Sequence, residues 1–415
     1  MAKSLTHHNT DAIRRSLSSA GRELLETARA QADRRALELW AVGGTVRDAA
    51  TARQVIDVDV AVNREASELA AAVAEQHGGS WSAEERFGTA SVTVGADRLD
   101  IATLRTERYA EPGALPDVSL GATIEADLER RDFSVNAIAI ALTGPRRDQV
   151  VDPFGGFADL ERRRFRVLHA RSFEDDATRI WRAARLSVAH NLRPTAETAD
   201  LLVRGARQLD TISGDRLWSE FALIAERGRS GRTLDLLDRW RALEATSPAL
   251  TLTDDSRATL RHRWRPMPVE RLATVLLAMR PAEPAEAVLV RLNAPTTAIR
   301  AVRDARTLLN ARANYTATPD RLESLASTDL DGRAAAIWLD GGQGELQREL
   351  RRWERTRPHL LANDLLATGV PEGPEVGELL RCLRRGRYLG TLGSVAAARA
   401  LVRRHLDGGS GADDQ

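Results

Sequence analysis

LWAVGGTVRDAATARQVIDVDV, residues 39–60, reads as an apolar strand, a Gly-Gly turn, the start of a helix and a second apolar strand. Gly43 and Gly44 carry no Cβ, so a polyphosphate can approach the backbone closely there. The helix that follows would turn its free N–H groups and positive dipole end toward an anion. Arg47 adds a permanent charge and a planar fork that suits phosphate oxygens. Asp57 and Asp59 lie two apart on the second strand, so both carboxylates project from one face. Such a pair suits Mg²⁺, which takes a few protein oxygens and completes its shell with water and substrate phosphates. A Gly-Gly pair alone is usually a turn, and Asp-Val-Asp alone is usually a strand end at the surface. In this order and thirteen residues apart they point to metal-assisted nucleotidyl transfer.

The bulk composition sets limits on that reading. A chain of 415 residues has room for roughly two to four domains. Aromatic residues make up only 4%, while Ala, Leu and Arg dominate, which suggests helices. A net charge of +1 does not by itself predict a polyanionic partner. Lys3 is the only lysine, so the basic set is almost entirely arginine, whose flat fork favours phosphates and base edges. The single cysteine, Cys382, excludes an intramolecular disulfide and fits a reducing cytosol. With no apolar run of membrane-spanning length and no signal-peptide segment, the expected location is cytoplasmic.

Residues 1 to about 10 are polar, and the His7–His8 pair is too short to define a metal site. Apolar spacing from Asp11 to about Arg35 predicts one amphipathic helix. Glu65 to His77 predicts another, closed by Gly78–Gly79. Alternation at 90–94 and 98–104 predicts strands, and Asp100 on the second is either a third metal-facing carboxylate or a solvated strand residue. Pro and Gly within 107–121 predict a loop. Arg130, Arg131 and Asp132 precede an apolar run that contains Asn136. A buried Asn needs partners, and the Arg-Asp neighbours suit either a phosphate with a ribose hydroxyl or a plain cap ion pair.

SFEDDATRIWRAARLSVAHNL (172–192) is the second informative stretch. Ser172 reads as a helix N-cap with Asp175 three residues on. Asp176 and Arg179 then fall at i, i+3 on one helix face, followed by Arg182 and, turned furthest from Asp176, Arg185. That pattern is either a solvated salt bridge or a base reader. Cytosine and adenine each present an amino donor beside a ring-nitrogen acceptor, which an Asp acceptor beside an Arg donor complements. Guanine and uracil present the reverse order and are mismatched, each pair being worth roughly 1–3 kcal/mol. Reversing the two side chains should therefore shift preference toward G and U.

Beyond residue 195 helical patterns dominate. Within 360–390 a Gly/Pro turn separates two helices, and Arg381, Arg384, Arg385 and Arg387 form a basic stripe. Such a stripe either tracks an RNA backbone or is a solvated helix face.

Taken together, GGTVRD with DVD, RRDFSVNA, DPFGGFADL, DDATRIWRAAR and GDRLWSE, in that order, resemble the class II tRNA nucleotidyltransferase and bacterial poly(A) polymerase family of the polymerase-beta-like nucleotidyltransferases. The resemblance implies an α+β chain in which a small mixed-sheet head precedes an all-helical neck, body and tail. Residues 1–36 would be an N-terminal helical extension and 37–150 the catalytic head. Residues 151–228 would be the neck with the base-selecting helix, and 229–415 the RNA-binding body and tail. It implies Asp57 and Asp59 as catalytic metal ligands, with Asp100 added from its strand position. Gly43, Gly44, Arg47, Arg131, Asp132, Asn136, Asp176, Arg179, Arg182 and Arg185 would form the nucleotide-binding set, and Arg381, Arg384 and Arg385 the RNA contacts. The expected partners are tRNA, ATP and CTP, the expected cofactor is Mg²⁺, and the expected activity is CCA addition. CC-only or A-only addition, poly(A) tailing and a non-catalytic RNA-binding role stand as alternatives. The chain departs from the family pattern at Ala52, where Gly is usual, and at Ala177, where Pro is usual. Asp175 replaces a common Glu, and Ala114-Leu115-Pro116 stands where Arg-His-Pro is common.

Overall fold

The computed structural model describes residues 10–261, 265–312, 318–326, 330–339 and 345–408; the His7–His8 pair lies outside them. Its contacts divide the chain into two compact units, 1–251 and 252–415.

The first unit opens with α1 (Thr10–Ser16) and α2 (Ser19–Arg34). The apolar spacing predicts one helix here, but Ser18 interrupts it: its side chain accepts from the Gly21 N–H and caps α2. Then follow β1 (Leu39–Val42), α3 (Gly43–Ala50), β2 (Asp57–Val62), α4 (Ala66–His77), β3 (Ser80–Glu84), β4 (Thr89–Val94) and β5 (Asp97–Thr103). Gly78 closes α4 in the left-handed conformation. Ala52, just after α3, also adopts a positive φ of 53°, which explains why glycine is usual there.

The segment expected to be a loop is a hairpin, with β6 (Arg105–Arg108) paired antiparallel to β7 (Asp117–Leu120), so only 109–116 is loop. Its strands are mostly polar, which removes the alternation by which a strand is read. Glu107, paired with Arg105 on its own strand, ties the hairpin to the end of the helix that follows through Arg130. α5 (Ile124–Glu129), β8 (Ala139–Ala141) and β9 (Val150–Val151) complete a mixed sheet of order β3-β4-β5-β2-β1-β8-β9. β2 and β5 run parallel, and the other pairs are antiparallel. Trp40, Val42, Ala61, Leu128 and Ala139 are among the buried residues of the core beneath it.

Helices follow: α6 (Gly156–Glu161), α7 (Ser172–Asp175), α8 (Thr178–His190), α9 (Ala196–Gly205), α10 (Gly214–Glu226), α11 (Ser230–Arg239) and α12 (Ala242–Thr246). A short parallel pair, β10 (Arg164–Phe165) with β11 (Arg193–Pro194), is set among them. Trp181 and Phe221 meet edge to face, 6.4 Å between centroids, and fasten α8 to α10.

In the second unit the described elements are all helical: α13 (Asp254–Arg261), α14 (Val269–Leu277), α15 (Ala282–Arg291), α16 (Thr296–Arg312), α17 (Pro319–Ala326), α18 (Leu330–Leu339), α19 (Glu345–Arg355), α20 (Ala362–Ala367), α21 (Pro374–Leu389) and α22 (Val395–Gly408). The expected Gly/Pro turn joins α20 to α21, with Gly369 at φ +100° and Pro374 opening α21. Among the described residues no helix is long and apolar enough to cross a membrane.

Candidate active site

β1 delivers the chain to Gly43, whose φ of +59° makes the turn into α3. A Cβ on Gly44 would stand 2.8 Å from Asp59 Oδ2, and one on Gly43 would stand 3.0 Å from Arg131 Nη1. The positive φ favours glycine at Gly43, and a side chain at Gly44 would displace the Asp59 carboxylate. The Gly44 N–H donates to Asp59 Oδ2 at 3.2 Å, and the Asp59 N–H donates to Thr45 Oγ1 at 2.7 Å. The start of α3 and the middle of β2 are thus locked together, with a carboxylate at the positive end of the helix.

Asp57 and Asp59 share a face of β2 as expected, and Asp100 sits opposite Asp59 in the parallel register. Burial, reinforced by repulsion from Asp100, raises the Asp59 carboxyl from 3.8 to about 6; Arg131 and Arg47 pull against the rise, and Asp57 adds to it. Asp100 Oδ1 accepts from Ser91 Oγ and Arg98 Nε. Among the described residues no three His, Cys, Asp or Glu converge as a preformed metal cluster, so Asp100 does not join the pair in one. Asp57 Oδ2 instead accepts from Arg227 Nη2 at 2.8 Å.

The raised acid makes a testable expectation. A folded pKa above the unfolded one means that the metal-free protein holds an extra proton between pH 3.8 and about 6, so this group's contribution to stability falls as pH rises through that window. The ¹³C resonance of the Asp59 carboxyl should titrate with a midpoint near 6, and a midpoint back at the ordinary 3.8 would remove the argument.

A chain of polar contacts runs from α3 to α8. Arg47 Nη1 donates to Asn136 Oδ1 at 2.6 Å, and Asn136 Nδ2 donates to Asp132 Oδ1 at 2.9 Å. Asp132 Oδ2 then pairs with Arg182 at 3.0 Å. Burial opposes the Asp132 charge, but Arg182, the Asn136 amide and Arg179 together hold its pKa below the ordinary range. Asn136 therefore has the partners its setting demands. Arg131 and Arg130 both bind the fully buried Asp127, at 2.9 and 2.7 Å. Asp127 was not singled out in the sequence, although its i+3 and i+4 spacing to the two arginines is a usable signal.

The segment expected to read the base differs from the expected helix. Ser172 does not cap: Arg171 is the N-cap of α7, and Ser172 Oγ accepts from Arg179 Nη1 at 2.6 Å. Asp176 is extended backbone (φ −144°, ψ 96°) between α7 and α8. It therefore does not share a helix face with Arg179; the two are brought near by the break between helices. Asp176 Oδ1 accepts from the Thr178 N–H (3.0 Å), Thr178 Oγ1 (2.6 Å) and Arg216 Nη2 (2.7 Å). Arg179 is buried, donates to Arg130 O at 3.1 Å, and lies 6.0 Å from the Tyr109 ring centroid. Arg185 is bound by Glu220 at 2.6 Å, away from this chain of contacts.

The basic stripe of the second unit is not continuous. Arg384 lies 4.5 Å over the Trp353 ring and donates to the Trp353 carbonyl at 2.8 Å, while Arg385 is tied to Asp320 at 2.8 Å. Arg381 is exposed. The dense basic feature is a recess of about 650 Å³ lined by Arg348, Arg351, Arg352 and Arg355 of α19 and by Arg387 of α21.

The family described as Poly A polymerase head domain matches residues 39–166. The CC-adding tRNA nucleotidyltransferase of Deinococcus radiodurans is 32% identical over 372 residues, 89% of this chain and 90% of that protein. The A-adding tRNA nucleotidyltransferase of Aquifex aeolicus is 38% identical over 210 residues, half of this chain and only a quarter (25%) of the relative's length. The fold is also that of the Thermotoga maritima CCA-adding enzyme complexed with tRNA (TM-score 0.70, 23% identity, covering 96% of this chain and 98% of that one). The protein is a nucleotidyltransferase. Within that class it belongs to the tRNA nucleotidyltransferase and poly(A) polymerase family, whose members generally use a divalent metal ion.

Proposed function

We propose that this protein adds C, C and A to the 3′ end of tRNA from CTP and ATP, without a nucleic-acid template and in the cytoplasm. The observation that carries the reading is that α3, whose Gly44 N–H binds Asp59, also carries Arg47, from which polar contacts run through Asn136 and Asp132 to Arg182 of α8, the helix that opens beside Asp176. In the reaction a bond forms between the terminal 3′-oxygen and the α-phosphorus, and pyrophosphate leaves. Asp57 and Asp59 would hold Mg²⁺, which supplies charge stabilisation at the reacting phosphate. The fit rests on a buried carboxyl crowded by two others: burial first, then repulsion from Asp100 and from Asp57, lifts Asp59 to about 6. Arg227 would release Asp57 as the cation binds.

The remaining roles follow from position. Gly43 and Gly44 open space for the triphosphate, Arg47 and Arg131 face its charge, and Asp132 receives the ribose. Asp176 and Arg179 read the base, Arg182 braces Asp132, and Arg185 contributes through Glu220 rather than by contact. A tRNA lacking its 3′ terminus, offered CTP and ATP singly and together, tests the reading: CCA requires both nucleotides. The full-length similarity to a CC-adding enzyme favours CC addition as the second reading, which predicts no terminal A. A long A tail on tRNA ending in CC would identify a poly(A) polymerase, and no incorporation would leave only RNA binding.

The RNA contact of the second unit we place in the arginine recess rather than at Arg384 and Arg385. Each phosphate neutralised releases counterions, so replacing Arg351 and Arg355 with alanine should flatten the log–log salt dependence of tRNA binding by roughly 2. Filter binding across a salt series measures it, and an unchanged slope would move the contact elsewhere.

A further inference from the structure

Arg47 and Asp48 are neighbours on α3, and helix neighbours point about 100° apart, so their side chains do not meet by default. These two nevertheless form a side-on bidentate pair. Arg47 Nε donates to Asp48 Oδ1 at 2.9 Å, and Nη2 donates to Oδ2 at 3.2 Å. Nη1 donates to Asn136 Oδ1. Three of the five guanidinium N–H groups are thus committed, and one each on Nη1 and Nη2 is left. Nη2, part of that remaining edge, lies 3.5 Å from the position a Gly44 Cβ would take. The edge therefore borders the space that the glycine turn leaves open.

Asp48 is backed in turn by α8. His190, in the last turn of that helix, places Nδ1 3.5 Å from Asp48 Oδ1. Arg53, between α3 and β2, fastens the same turn by donating to the Ala189 carbonyl at 2.6 Å. Burial, and after it the charge of Arg47, pushes the His190 imidazole down to about 3 against the pull of Asp48. The ring is neutral and brings no second positive charge, so Arg47 is the one cation bound to Asp48 among the described residues. A carboxylate with a neutral ring behind it and a single guanidinium before it fixes the direction of that guanidinium.

We propose that Asp48 is a positioning residue for the nucleotide's triphosphate: it takes Arg47 from the side and aims the two remaining N–H groups at the phosphates, without touching the nucleotide itself. This rests on the reading above that Arg47 faces the charge of the triphosphate. All nucleoside triphosphates carry the same phosphates, so the effect is on grip and not on the choice of base. A guanidinium without its carboxylate would have to lose rotamer freedom on binding, which weakens the phosphate contact.

The test measures the binding of inorganic tripolyphosphate and of cytidine by calorimetry with Mg²⁺ present, KM and kcat for CTP and ATP, and thermal melting. Tripolyphosphate binding unchanged in Arg47→Ala would defeat the triphosphate reading itself, whatever Asp48 does. Given a loss in Arg47→Ala, Asp48→Asn, which keeps the shape but turns an N–H toward the guanidinium, should weaken tripolyphosphate roughly 10-fold. KM for CTP and ATP should rise by the same factor, while cytidine binding and the CTP-to-ATP ratio of kcat/KM stay unchanged. Asp48→Glu, which restores the charge, should recover part of the loss. Added to Arg47→Ala, Asp48→Asn should cost less than about 2-fold more, because Asp48 acts only through that guanidinium. Tripolyphosphate binding at wild-type strength in Asp48→Asn, an equal weakening of cytidine, or multiplying losses in the double variant would overturn the proposal. Should Asp48→Asn fail to fold, Asp48→Glu decides it, since its longer arm shifts the guanidinium and must weaken tripolyphosphate more than cytidine.

Discussion

Asp59→Ala is expected to lower nucleotide incorporation at least roughly 1,000-fold while tRNA affinity stays close to wild type. The carboxylate lies where the first N–H groups of α3 meet β2, and Gly44 donates directly to it. Nothing else in the described site replaces it: Asp100 is engaged by Ser91 and Arg98, and Asp57 supplies only the other half of the pair. The loss should not be a loss of folding. Burial and repulsion from Asp100 raise the Asp59 carboxyl to about 6, so above that pH its charge opposes the folded metal-free state. Asp59→Asn, which keeps the shape and removes the charge, should therefore melt no lower than wild type above pH 6. Single-turnover incorporation, tRNA filter binding and melting on the same preparations test both halves. Residual turnover near wild type would remove the metal role from Asp59, and a large drop in melting temperature for the Asn variant would contradict the charge argument.

The head was legible because its signals are local. Gly43 and Gly44, the alternation of β2 and the Asp57–Asp59 spacing each follow from rules spanning a few residues, and the structure reproduces them. The region proposed to read the base was legible in composition but not in geometry. Counting i, i+3 from Asp176 to Arg179 presumes a helix that has already begun, yet α8 starts only at Thr178 and Asp176 is extended. Arg216 could not have been found by spacing, since it meets Asp176 from forty residues away. The stripe expected to contact RNA was legible as charge but not in its partners, for a related reason: helical periodicity places Arg384 on a face but does not show that it lies over the buried Trp353 ring. The polar strands β6 and β7 gave no hydrophobic alternation, and their pairing depends on backbone bonds with Glu107 as the side-chain anchor.

The geometry also changes what the reversed pair, Asp176→Arg with Arg179→Asp, should do. With both residues on a free helix face, exchange would turn an acceptor–donor reader into a donor–acceptor one and favour G and U. In the folded protein the exchange instead sets a second guanidinium, at position 176, against that of Arg216. It also strips Thr178 of the oxygen that accepts from its N–H and hydroxyl. A carboxylate then occupies the buried position where Arg179 now donates to Ser172 Oγ and to the Arg130 carbonyl. An acceptor facing a carbonyl oxygen cannot bond to it, and a buried unpaired charge costs about 3–5 kcal/mol. The reversed protein should therefore lose incorporation of all four nucleotides, roughly 1,000-fold or more for CTP and ATP, and melt well below wild type. Adding Arg216→Glu restores an opposite charge beside position 176 and should recover part of the melting temperature without restoring activity on CTP or ATP. Robust UTP or GTP incorporation by the double variant would mean that Asp176 and Arg179 read the base independently of Arg216, Ser172 and Arg130.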